Sequence, residues 1–185
     1  MLEKETPFFK RPLAITDLEM TGLDADIHEI IEIGLVVINQ DTLEIIDTLD
    51  VKVKPEHIET AAPDALAVNG YKEEDWKDAA SLYDAMVQYN QKTPNAVFAG
   101  WNITFDWAFM EKAFKKTGIR HTMEYHRIDI LSFAWGKLRN RGLDQIRLSA
   151  ICRYFGIEEE PKQHRAINGA MKAYEVLQKL LAMRD

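Results

Sequence analysis

The sequence predicts an α/β domain with a mixed central sheet flanked by helices. Three observations carry this. β-branched, apolar runs cluster early in the chain, shorter apolar runs then alternate with segments of helical spacing, and the C-terminal stretch is helical throughout. The order reads βββαβαβααα. Hairpin strands followed by alternation suit a three-layer arrangement, with helices on both faces of one sheet.

Residues 1–12 read as an N-terminal tail ending at Pro12, and 13–185 as a single domain. Leu13-Ala14-Ile15-Thr16 opens a strand that runs into Asp17-Leu18-Glu19, and Thr21-Gly22-Leu23-Asp24 is a turn punctuated by glycine. Ile30 to Ile38 is a buried strand, and Glu44 to Val53 pairs with it as a hairpin across Asn39-Gln40-Asp41. Pro55 stops that ladder, and 56–72 reads as irregular, with a turn at Asn69-Gly70. Trp76, Ala79, Ala80, Tyr83, Met86 and Val87 predict one helix from Glu73 to Gln91. Ala96 to Gly100 is a short strand. A helix over Thr104–Lys116, a strand over Arg127–Asp129, and helices over Leu131–Leu138, Leu148–Phe155 and His164–Met183 complete the chain.

A chain of 185 residues fits one domain and buries roughly two thirds of its unfolded surface, so it needs no staples. Cys152 is the single cysteine, which excludes an intramolecular disulfide; its apolar setting reads as a small buried hydrophobe. No apolar run approaches the roughly 18 residues of a membrane span, and Met1–Arg11 is charged and lacks a signal-peptide core. No membrane association and a cytoplasmic location are the expectations. The formal net charge of −7 excludes nucleic-acid binding through bulk field alone, so a local basic rim or bound cations must do that work.

Asp17 and Glu19 stand two apart on a strand, so both carboxylates face the same way. Like charges side by side repel unless something positive lies between them. A strand end with solvated acids is an equally good reading on spacing alone. Asp106 opens a helix directly after a short strand, where sites gather in open α/β sheets, although an acid there also suits a helix N-terminus. His164, after Pro161, is a candidate general base once a carboxylate cluster stands beside it.

Together these stretches resemble the DEDD 3′–5′ exonuclease superfamily, in its histidine-bearing branch with the proofreading subunit of DNA polymerase III, RNase T and oligoribonuclease. The resemblance rests on Asp17-Leu18-Glu19-Met20-Thr21-Gly22-Leu23 with Ile30-Ile31-Glu32-Ile33-Gly34, on Asn102-Ile103-Thr104-Phe105-Asp106, and on His164. Pro63 to Gly70 and Asp129 also look familial, and the likeness covers about residues 12–182.

It implies an RNase H-like fold and two divalent metal ions, Mg²⁺ or Mn²⁺. By that likeness Asp17 bridges both ions, Glu19 binds the one holding the attacking water, Asp106 supports the other, and His164 deprotonates the nucleophile. The substrate would be a single-stranded DNA or RNA 3′ end, released as nucleoside 5′-monophosphates. The turn Met20, Thr21, Gly22 and Leu23 would meet the terminal nucleotide, with Asn102 and Phe105 beside it. Lys112, Lys115, Lys116, Arg120, Arg139, Arg141 and Arg147 could form a basic rim, although each by itself is better read as a solvated surface charge. A protein partner such as a polymerase is a further expectation, and the oligomeric state stays open.

One departure stands out. The resemblance calls for an aspartate five residues after the histidine, and Gly169 stands there. Glycine inside a helix also costs about 1 kcal/mol relative to alanine. Asn168 is one position off, about 100° around the helix. Three readings compete: a natively impaired domain that binds nucleic acid or a partner, an active enzyme with water or the Asn168 amide in the gap, or a deliberate substitution. A catalytically inactive nucleic-acid-binding or adaptor domain is therefore the alternative to the exonuclease. Glu32 reads as structural rather than as an inward-reaching replacement ligand.

Overall fold

The structure, a computed structural model, describes residues 6–159 and 163–183. Among the described residues five strands form one sheet: β1 (Leu13–Met20), β2 (Ile30–Ile38), β3 (Ile45–Lys52), β4 (Val97–Gly100) and β5 (Arg127–Asp129), in the order β3-β2-β1-β4-β5. β1 and β2 pair antiparallel, as do β2 and β3, while β1–β4 and β4–β5 are parallel. The described residues also form α-helices α1 (Pro63–Asn69), α2 (Leu82–Lys92), α3 (Thr104–Thr117), α4 (Ile130–Leu138), α5 (Leu148–Phe155) and α6 (Ala166–Ala182), of which α2, α3, α4 and α6 pack on the sheet. The mixed sheet and flanking helices agree with the expected three-layer α/β fold.

Alternation along β1 and β2 sorts side chains into two cores. Ala14, Leu18, Ile33, Leu35 and Val37 join Met86, Tyr89, Phe109 and Met110 beneath α2 and α3. Leu13, Ile15, Val36 and Ile38 join Ala170, Ala173, Val176, Leu177 and Leu180 beneath α6. Every residue of β2 is buried, as its β-branched run predicts. Cys152 is buried in the second core. The tail is not wholly irregular, since Phe8–Lys10 makes a 3-10 turn whose Phe8 packs against that core.

Two stretches differ from the sequence-based expectation. Residues 63–69, expected as irregular, form α1, with Pro63 in the first turn and Gly70 as a left-handed cap at φ 67°. The single helix expected over 73–91 is broken. Glu73–Trp76 is a 3-10 turn, and the backbone at Ala80 is drawn into a bridge with Val53, donating to Lys52 O at 3.0 Å and accepting from Lys54 N at 2.8 Å. Ser81 then caps α2 by accepting from Asp84 N. Backbone pairing at 80 outcompetes helical continuity that the side-chain spacing alone suggested.

α6 begins at Ala166, two residues later than expected, and crosses β2 at Gly34. A Cβ built on Gly34 would lie 2.1 Å from the Ala166 carbonyl carbon, so only glycine admits this approach. Glu32 fixes the crossing. Its Oε2 accepts from Arg165 Nε at 2.9 Å and from the Ala166 amide, the first of α6, at 3.3 Å. Arg165 also reaches Asp50 on β3. A buried carboxylate of β2 thereby serves as the N-terminal cap of a helix distant in sequence.

Candidate active site

Asp17 and Glu19 lie on the α6 face of β1, beyond the point where β4 stops. β4 pairs with β1 only from Leu13 to Ile15, and Gly100 lets the two backbones close at Thr16. Past that point the outer backbone groups of β1 have no strand to bond. The amide of Leu18, between the two acids, donates instead to Asp106 Oδ1 at 3.1 Å. Asp106 comes from the first turn of α3 and is 6% exposed. Burial pushes its carboxyl up to about 7, while hydrogen bonds from its own backbone and from Leu18 pull the other way. The three acids named from sequence are thus tied together through three consecutive residues of β1.

Asp17 pairs in register with Gly34 and Glu19 with Glu32. One patch of sheet therefore carries Asp17, Glu19 and Glu32, all beneath the start of α6. Glu19 and Glu32 are cross-strand neighbours, and like charges so placed are destabilising. Arg165 answers that by pairing with Glu32, whose proximity holds the guanidinium pKa up. Glu32 Oε1 is buried without a hydrogen-bond partner. The structural reading of Glu32 stands, and its charge is already matched.

The turn after β1 is firmly built. Thr21 is buried, and its amide donates to Glu29 O, its carbonyl accepts from the Ala62 amide, and its hydroxyl accepts from the Glu29 amide. Asn69 at the end of α1 donates to Met20 O at 3.2 Å. The His28 ring packs on Gly22, where a Cβ would come within 2.4 Å of Nε2. Lys112 holds the loop through the Ala25 carbonyl and Asp26. The Thr21 backbone groups are spent within the chain, while Leu23, 66% exposed, stands out from the turn. Phe105 is exposed on the first turn of α3, not in the core.

Asn102 has left-handed backbone at φ 58°, held by its amide donating to Asp129 Oδ1 at 2.9 Å. Asp129 also caps α4 through the Ser132 amide. Asn69 and Asp129 belong to stretches that carry the family likeness, but sequence gives them no role; with Ala62, they buttress the turns beside the acids. Lys112, Lys115 and Lys116 are ion-paired with Asp26, Glu111 and Glu56. They make a weaker basic rim than their number suggests.

His164 lies in the segment entering α6, with an exposed side chain and its amide donating to Val68 O at 3.3 Å. Pro161, its sequence marker, is outside the described residues. Gly169 is buried on the first turns of α6, directly over Asp17, where a Cβ would meet Asp17 Oδ2 at 2.3 Å. The position that resemblance would give to a fourth acid is thus filled, up to the helix backbone, by the carboxylate of the first. Among the described residues no three His, Cys, Asp or Glu side chains are grouped closely enough to hold a metal ion.

A sequence model of the exonuclease family RNase_T matches residues 14–177 of this chain. The chain belongs to that exonuclease family. Among curated relatives, the PolC-type DNA polymerase III of Bacillus subtilis is 27% identical over 184 residues, 98% of this chain and 12% of that protein. The 3′-5′ exonuclease DinG of Staphylococcus epidermidis is 33% identical over 107 residues, 58% of this chain and 11% of its own length. This family member therefore spans a small part of the relatives it matches. Its fold is that of exonuclease I: a product-bound structure superposes with TM-score 0.77 at 17% identity, covering 95% of this chain and 44% of the other. A 3′-exonuclease that recognises the histone mRNA stem-loop superposes at 0.74 and 17% identity, covering 96% and 66%.

The family generally uses divalent metals. The oxygen donors of Asp17 and Glu19 suit a hard cation, and Mg²⁺ is commonly held by one or two carboxylates with water and substrate phosphate completing the shell. That much fits this exonuclease domain. A full two-ion set does not fit, because no carboxylate stands at 169 and Asp17 lies against that backbone.

Proposed function

We propose that this chain is a metal-dependent 3′–5′ exonuclease domain that hydrolyses phosphodiester bonds at single-stranded 3′ ends and releases nucleoside 5′-monophosphates. The observation that carries the proposal is the Asp106–Leu18 hydrogen bond, which fastens α3 between two same-facing acids of β1. Membership of the exonuclease family supports it. So does the relation to PolC-type polymerases, from which we take a DNA polymerase as the partner class.

In this reading Asp17 and Glu19 hold a divalent ion, Mg²⁺ or Mn²⁺. A bound ion there offsets phosphate charge and acidifies water at the scissile phosphorus. Asp106 keeps β1 extended beyond β4, so that both acids keep their facing. His164, at the mouth of α6, takes the proton from the attacking water as the 3′ oxygen leaves. Leu23 and Phe105 present apolar surface to the terminal bases, a contact that tolerates any sequence. Asn102, fixed in its turn, precedes the helix that carries Phe105, and Met20, Thr21 and Gly22 form the turn that presents Leu23 to the terminal nucleotide.

A second reading, a non-catalytic nucleic-acid-binding domain, is favoured by Gly169 and by the close seating of Asp17 against it. A 3′-labelled single-stranded oligonucleotide separates the two. Mononucleotide release that needs Mn²⁺ and disappears in Asp17→Ala establishes the exonuclease. Tight binding without release, in both Mn²⁺ and Mg²⁺, establishes the binding domain.

A further inference from the structure

We propose that the face formed by α4, α5 and the loop between them is a second nucleic-acid contact, which holds single-stranded nucleic acid upstream of the 3′ end. The inference rests on the exonuclease reading for which end of the strand lies at β1, and on its own residues for the surface.

Its first support is where the charge lies. The chain has a formal net charge of −7, yet residues 130–157 carry Lys137, Arg139, Arg141, Arg147 and Arg153 against the single acid Asp144. Many cations elsewhere are spent on neighbouring acids: Lys10 on Asp41, Lys92 on Asp47, Lys112 on Asp26, Lys116 on Glu56 and Arg165 on Glu32. On this face Arg153 pairs with Glu159. Arg139, Arg141 and Arg147 are exposed and have no ion pair among the described residues. One such arginine is an ordinary surface charge. Three together on an otherwise acidic protein make a local field that attracts a polyanion.

Its second support is aromatic. Trp135 on α4 is 56% exposed and Tyr154 on α5 is 41% exposed. The Arg139 guanidinium lies over the Trp135 ring, 5.4 Å from its centroid. Each ring lines a cleft, and the two clefts adjoin through Leu143, Asp144 and Gln145 of the loop. Rings that stack on bases, set among cations that track the backbone, are what binding of a single strand requires. An acidic peptide would satisfy the arginines and leave both rings in water.

Its third support is placement. α4 starts at Asp129, whose carboxylate also holds the Asn102 turn ahead of α3. Arg139 caps the other end of α4, about 15 Å away along the helix axis. A strand with its 3′ end at the acids of β1 reaches this face only if it extends several nucleotides upstream. A dinucleotide does not reach it.

The test is binding of 5′-labelled oligothymidylate to the full chain in excess chelator, read by fluorescence anisotropy over a series of salt concentrations. A strand of roughly 15 nucleotides is expected to bind at least tenfold more tightly than a dinucleotide. Arg141→Ala combined with Arg147→Ala should weaken the long strand about tenfold and flatten its salt dependence by about 1.4 in log–log slope, two phosphates at about 0.7 each. Trp135→Ala should weaken it about fivefold or more without changing that slope, and Trp135→Phe should retain most of the affinity. Because all three side chains are exposed, the variants are expected to keep the circular dichroism of the unaltered chain. Should an alanine variant misfold, Arg141→Gln with Arg147→Gln, or Trp135→Leu, replaces it.

Equal affinity for the long strand and the dinucleotide would overturn the inference, as would no binding of either. So would a long-strand affinity that ignores the folded variants, or a polyglutamate peptide that competes as well as the oligonucleotide. Hydrolysis with Mn²⁺, run in parallel, keeps the two readings apart. Mononucleotide release that is equal for both lengths and unaltered by the variants defeats the second contact and leaves the exonuclease standing. Long-strand binding that depends on Arg141, Arg147 and Trp135, without release, upholds the second contact and defeats the exonuclease.

Discussion

The two walls of the site are built differently. The β1 wall holds its acids in place by backbone logic: β4 ends early, the Leu18 amide needs an acceptor, and Asp106 provides it. The α6 wall is held by packing and an ion pair, with Gly34 admitting the helix, Glu32 capping it and Arg165 clamping it to β2 and β3. The β1 wall carries the acids to which we assign the chemistry. The α6 wall has the same architecture but a glycine where a ligand would stand. The anchoring of α6 on β2 and β3 is therefore independent of what stands at 169.

The contrast can be broken from either side. On the β1 wall, Asp17→Ala is expected to lower mononucleotide release by at least 100-fold while the fold survives, because losing a direct ligand exceeds the 10–100-fold typical of outer groups. Unaltered release in that variant would remove β1 from the chemistry. On the α6 wall, Gly34→Ala should be among the most damaging structural changes. A methyl group 2.1 Å from the Ala166 backbone must push the helix off, at a cost of about 3 kcal/mol, visible in urea unfolding.

Arg165→Ala is expected to cost about 3 kcal/mol as well, since it leaves Glu32 buried beside Glu19 without its guanidinium. Arg165→Lys should recover only part of this, because an ammonium cannot span Glu32 and Asp50 as the planar guanidinium does. A smaller effect is expected for Gly169→Asp, about 1–2 kcal/mol of destabilisation without metal, because a second carboxylate is pressed against Asp17. Millimolar Mn²⁺ should restore the lost thermal stability of that variant more than it raises that of the unaltered chain. Leu23→Ala should be the mildest, raising KM for an oligonucleotide several-fold with little change in kcat, as expected of a group that only contacts bases.

The same contrast decides how much could be read in advance. The β1 wall was legible because strand alternation converts a spacing of two into a shared face, and because Asp106 sits at a strand-to-helix junction. The five strands were legible for the same reason, with Ile30–Ile38 the clearest. The α6 wall was legible as a helix with an acid missing at 169, but not in what anchors it to the sheet. Nothing in a single chain marks Gly34 as the crossing point of a helix that lies far along the sequence, nor Arg165 as the partner of Glu32. Local signals also lost to tertiary pairing, as when Ala80 joined Val53 and split a predicted helix. α1 was missed because it is short and exposes Val68, so it shows little periodicity despite its Pro63 and Gly70 boundaries.

The most direct measurement is hydrolysis of a 3′-labelled single-stranded oligonucleotide by the unaltered chain, with Mn²⁺ and then with excess chelator, beside Asp17→Asn and Glu19→Gln. Release of 5′-mononucleotides that stops with chelator and in both variants is expected. Release that persists through chelation, or that ignores both substitutions, would contradict the view that the acids of β1 act by holding a cation against the scissile phosphate.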